Sequence, residues 1–102
     1  MKSNLVTAME RYLSDQLEKI KQMSLSEIIQ LPEYSSKDIK IDKKRFTLAT
    51  WKKQRTDGII QIVVQAYYHK FLGIGIMQAE GFFVDSQGNF LPLPEEIRLE
   101  YR

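Results

Sequence analysis

Residues 59–84 read IIQIVVQAYYHKFLGIGIMQAEGFFV. Apolar and polar side chains alternate with a period of two on both sides of a glycine-containing break, which is the pattern of a β-hairpin. The register between the two arms decides which side chains share a face, because a slip of one residue inverts them all. With residues 70–73 as the loop, His69 pairs with Ile74. Ala66 then faces Met77, Val64 faces Ala79, Ile62 faces Gly81 and Ile60 faces Phe83. All eight are apolar or small, so this is the expected core face. Gly75, Gly81, Ala66 and Ala79 would leave room for a helix to lie close. Tyr67, Gln65, Gln78, Val63 and Glu80 would form the opposite face.

The same stretch holds the one histidine of the chain, three of its five glycines and a carboxylate. These invite a reading as a ligand loop beside a catalytic pair. The glycines do not support it. A dinucleotide fingerprint places its glycines after a strand and at the start of a helix, whereas the residues after Gly75 alternate as a strand. Gln78 also occupies the third glycine position. In this register His69 and Glu80 lie about 20 Å apart along the strands, too far to share a proton. No serine lies in a G-x-S-x-G turn. No catalytic residue is assigned, and an enzyme is not expected.

Outward from the hairpin, residues 45–54 (RFTLATWKKQ) read as a further strand, joined to the next by Thr56-Asp57-Gly58. That triplet suits a type I turn closed by a left-handed glycine. A three-residue loop puts Phe46, Leu48 and Thr50 on the core side and Arg45, Trp51 and Lys53 on the open side. Residues 38–41 (DIKI) form a short strand, DKK a turn, and 33–37 (EYSSK) a loop. After Val84, DSQG reads as a turn. Residues 89–94 (NFLPLP) are at most a short edge strand, because Pro92 and Pro94 cannot donate to a ladder. The ending EEIRLEYR carries both a strand-like alternation and a helix-start signal at Pro94-Glu95-Glu96.

Before the sheet, Leu5, Met9, Tyr12, Leu13, Leu17 and Ile20 recur at spacings of three and four, as on one face of a helix, with Ser3 as its N-cap. Ser24 and Glu27 make a capping box for a second, short helix that Pro32 stops. The expected fold class is α+β: two N-terminal helices packed on one face of a four- to five-stranded antiparallel meander sheet, in a single domain over residues 1–102.

Composition narrows the chemistry. The absence of cysteine removes disulfides, thiolate metal sites and cysteine nucleophiles. One histidine leaves metal ligation to carboxylates without EF-hand spacing. Neither a metal nor a cofactor is expected. Residues 1–23 lack the apolar core of a signal peptide, and no run approaches the roughly 20 apolar residues that span a bilayer. A cytoplasmic location without membrane contact is the expectation. Net charge is +2, yet residues 37–55 carry eight basic and two acidic groups.

Two functional expectations follow. The first is a small non-enzymatic protein-interaction module, adaptor or regulatory, that uses the open sheet face through Trp51, Gln65, Tyr67, Gln78 and Glu80. Its partner is another protein or a second copy of the chain, docked through the sheet face. That face is too apolar to meet only water. The second is a nucleic-acid-binding domain in which Lys43, Lys44, Arg45, Lys52, Lys53 and Arg55 contact phosphates and Trp51 stacks on bases.

Overall fold

A computed structural model describes residues 4–69 and 75–102. Helix α1 spans Asn4–Lys21 and α2 spans Leu25–Ile29. Five strands follow: β1 (Tyr34–Ile41), β2 (Lys44–Gln54), β3 (Ile60–His69), β4 (Gly75–Val84) and β5 (Phe90–Pro92). A short helix, α3 (Glu95–Glu100), ends the chain. The strands form one antiparallel sheet in the order β1-β2-β3-β4-β5. The chain is therefore α+β, as its periodicities predict. Ser3 and the hairpin residues 70–73 lie outside the described residues.

Helix α1 lays Leu5, Met9, Leu13 and Ile20 on one face of the sheet, against Phe46, Leu48, Ile60, Ile62, Val64, Ala66, Phe82 and Val84. Each fully buried aliphatic or aromatic side chain contributes about 1.5–3 kcal/mol. Helix α2 is barely one turn long and closes one end of this core with Ile28. Its capping box is complete: Glu27 N–H donates to Ser24 Oγ at 3.2 Å, and Ser24 N–H to Glu27 Oε1 at 2.9 Å. The bond from the Ser24 N–H, followed by the Ser24 hydroxyl, holds the Glu27 carboxyl below its usual pKa.

The turn between β2 and β3 has the expected three-residue form. Arg55 N–H bonds to the Ile59 carbonyl and Gly58 takes φ 82°. Phe46, Leu48 and Thr50 accordingly share the α1 side, and Trp51 faces away.

Three features depart from the sequence-based expectation. First, β1 begins at Tyr34 rather than Asp38, because Tyr34-Ser35-Ser36-Lys37 continues the pairing with β2. Second, His69 pairs with Gly75, so Ile60 meets Val84, Ile62 meets Phe82, Val64 meets Glu80 and Ala66 meets Gln78. The one-residue shift turns Gln78 and Glu80 toward α1 and turns Met77, Ala79, Gly81 and Phe83 to the other side. Steric fit and helix position explain it. The large apolar residues Phe82 and Val84 take the core, while Gln78 and Glu80 sit at the rim of α1 in a groove of 490 Å³ shared with Leu13, Ser14, Leu17 and Lys21. Third, the small residues do not form one bed for a helix. Ala66 packs in the α1 core, whereas Gly75, Ala79 and Gly81 face the α3 side, and the space at Gly75 and Gly81 is taken up by β3 itself. Val63 and Ala79 are buried on the α3 side, outside the α1 core.

Candidate interaction face

The face opposite α1 is built from alternate residues of four strands. Strand β1 supplies Tyr34, Ser36, Asp38 and Lys40, and β2 supplies Arg45, Thr47, Ala49, Trp51 and Lys53. Strand β3 supplies Gln61, Val63, Gln65, Tyr67 and His69, and β4 supplies Met77, Ala79, Gly81 and Phe83. The C-terminal segment covers only part of this surface.

Two glutamines fasten that segment. Gln61 is 4% exposed and satisfied at both ends of its amide. Its Nε2 donates to Tyr101 Oη at 3.1 Å, and its Oε1 accepts from Arg55 Nη1 at 3.3 Å. Gln65 Nε2 donates to the Tyr101 backbone carbonyl, while Gln65 Oε1 accepts from Trp51 Nε1 at 2.6 Å. Arg55 also pairs with Asp57 at 3.5 Å and lies over the Phe83 ring at 5.2 Å. Gln61 and Gln65, which suggest a polar outer surface in the sequence, thus act as struts, Gln61 buried and Gln65 half-buried.

Beyond the struts lies an aromatic row. The Tyr34 and Trp51 rings have centroids 4.4 Å apart, and Trp51 and Tyr101 are 6.0 Å apart. Tyr34 is 47% exposed and Trp51 37%. They border a groove of 360 Å³ shared with Glu33, Lys53, Gln54 and Tyr101. Of these three aromatics Tyr34 escapes a reading of the sequence alone, whereas Tyr101 belongs to a C-terminal segment whose apolar residues suit it to fold across the open face. Tyr34 falls in an apparent loop, although its parity with Ser36, Asp38 and Lys40 signals a longer strand. Tyr101 belongs to an ending whose alternation and helix-start signals conflict.

The five residues expected on one face do not meet. Trp51 and Gln65 touch through their hydrogen bond. Tyr67 lies two rungs further along β3, with its hydroxyl against His69 Nδ1. Gln78 and Glu80 are on the other side of the sheet, and Glu80 pairs with Arg98 of α3 at 3.0 Å. Arg98 in turn pairs with Glu95.

The six basic residues are likewise divided. Lys43, Lys44 and Arg45 occupy the β1–β2 hairpin, eight residues along β2 from Lys53 and so about 26 Å away. Lys52 donates from Nζ to the Ile29 carbonyl at 2.6 Å on the α1 side. Arg55 is held by Gln61 and Asp57. Among the described residues no three His, Asp or Glu side chains converge as a metal site, and no helix is long and apolar enough to cross a membrane. No family model, curated protein or solved structure matches the chain.

Proposed function

We propose that this chain is a non-enzymatic protein-interaction module whose binding surface is the exposed aromatic row Tyr34–Trp51–Tyr101 at the β1–β2 side of the sheet. One observation carries the proposal. Two large aromatic rings pack against each other at a tilt of 56° in the open, on the part of the face that α3 leaves bare. Trp and Tyr are the residues that most often anchor interfaces. The indole N–H of Trp51 is already bonded to Gln65, so the ring is held in place before a partner arrives. Less side-chain freedom is then lost on binding. The division of the basic residues between two ends of β2 and two faces weighs against a continuous phosphate-binding track.

Trp51 is the only tryptophan, so its fluorescence reports this surface alone. Selection of a random peptide library on the intact protein should enrich ligands that shift Trp51 emission. These ligands should lose at least tenfold in affinity on Trp51→Ala or Tyr34→Ala and keep it on Tyr12→Ala, a change at an exposed ring on α1. Enriched peptides that bind Trp51→Ala unchanged would contradict the proposal.

A further inference from the structure

The two edges of the sheet are treated differently. At one edge, β5 pairs with β4 over only three residues, ends in Pro92, and is followed by Pro94. Next to it, Arg98 reaches from α3 to Glu80 on the α1 side of β4. Helices, prolines and crossing charges are the usual means of blocking strand addition. At the other edge, β1 pairs with β2 over eight consecutive residues without a bulge or a proline. Among the described residues its outer side bears no further strand.

The hydrogen-bond phase of β1 follows from one bond. Lys52 N–H donates to the Glu33 carbonyl at 2.9 Å, so Glu33 and Lys52 form a hydrogen-bonded pair. Such pairs alternate along an antiparallel ladder. Ser35, Lys37, Ile39 and Ile41 therefore direct their backbone groups toward β2. Tyr34, Ser36, Asp38 and Lys40 direct theirs outward. The same four side chains lie on the face of Trp51. A strand added here would gain four rungs and would place a side chain beside Tyr34, extending the aromatic row.

Charge identifies the occupant. Strand β1 and its hairpin, residues 34–45, carry five basic groups against Asp38 and Asp42. Lys37, Lys40, Lys43, Lys44 and Arg45 are all exposed. A second copy fits poorly. Antiparallel pairing of β1 with itself near its centre opposes Lys37 to Lys37 or Asp38 to Asp38, and like charges directly opposite are unfavourable. It would also join two basic surfaces. We infer that β1 accepts an extended acidic segment of another protein as a sixth strand, with an aromatic side chain seated beside Tyr34. This deepens the proposed function and rests on it.

The test uses the peptide acetyl-EVTETVF-amide, whose glutamates oppose Lys40 and Lys37 and whose phenylalanine opposes Tyr34 in an antiparallel register. The probe is titrated into the full chain and followed by amide NMR shifts. The expected shifts and exchange protection centre on Tyr34, Ser36, Asp38 and Lys40. Ser36→Pro should weaken binding at least tenfold yet leave the fold intact by circular dichroism, because its lost N–H points away from β2. The lysine counterpart acetyl-KVTKTVF-amide should bind at least tenfold more weakly. No binding of the acidic peptide at millimolar concentration overturns the inference, as does equal binding of the lysine peptide. Binding that survives Ser36→Pro but is lost in Trp51→Ala overturns strand addition alone and leaves the aromatic surface standing. A wild-type dimer in sedimentation that Ser36→Pro dissolves would make a second copy the occupant instead. Displacement of the peptide by oligo-dT at equal charge would make it a nucleic acid.

Discussion

Gly81 shows how much one missing side chain can decide. A Cβ at this position would lie 2.1 Å from the Ile62 carbonyl oxygen and 3.1 Å from Val63 Cα. Those are backbone atoms of the neighbouring strand and cannot rotate away. Gly81→Ala should therefore cost stability toward the upper end of the ~1–3 kcal/mol typical of overpacking, measured by urea denaturation. Wild-type stability would show that β3 and β4 do not approach this closely. Asp85 makes a second residue-scale case. Its carboxylate accepts the Asn89 and Gln87 backbone N–H groups, each at 2.9 Å. The Asn89 bond leads in holding its pKa below the usual 3.8. Because the folded value is the lower one, this contribution is complete above pH 3.8 and disappears as pH falls through the folded value. Asp85→Ala should lower Tm at pH 7, and the gap should close on acidification. A gap that persists to pH 2 would assign the effect to something other than the ionised carboxylate.

At the scale of elements, strong local signals are legible in the sequence. The Ser24/Glu27 box, the Thr56-Asp57-Gly58 turn and the period of α1 each depend on a few neighbouring residues, and each forms as expected. The β3–β4 register is different. Both candidate registers place apolar side chains on the α1 face. What separates them is the outline of α1, which leaves the middle of β4 at its rim, and the arrival of α3 on the other side. Neither is local information. The same holds for Gln61 and Gln65, which look like surface residues until Tyr101 comes within reach. Tyr101→Phe removes the acceptor for the buried Gln61 amide and should cost about 1–3 kcal/mol by equilibrium unfolding. No loss would mean that the amide finds another partner.

For the whole molecule, the consequence is an asymmetric sheet. One face carries α1 and the core. The other is sealed near β4 by α3 and left open near β1, where an unguarded edge runs from the aromatic row at Tyr34 to the basic hairpin at residues 43–45. The face of Trp51 hangs on the length of the Thr56-Asp57-Gly58 turn, since a two-residue loop would bury it and the three-residue turn points it outward. The aromatic neighbours of Trp51 became visible only once β1 had its full length and the C-terminus had a direction. The most direct test of binding at this surface is photo-crosslinking in cells of the source organism, with p-benzoylphenylalanine placed at position 34 or, separately, at position 12 on α1. The account predicts discrete adducts with another protein from position 34 and none from position 12. The same adducts from both positions, or none from position 34, would contradict it.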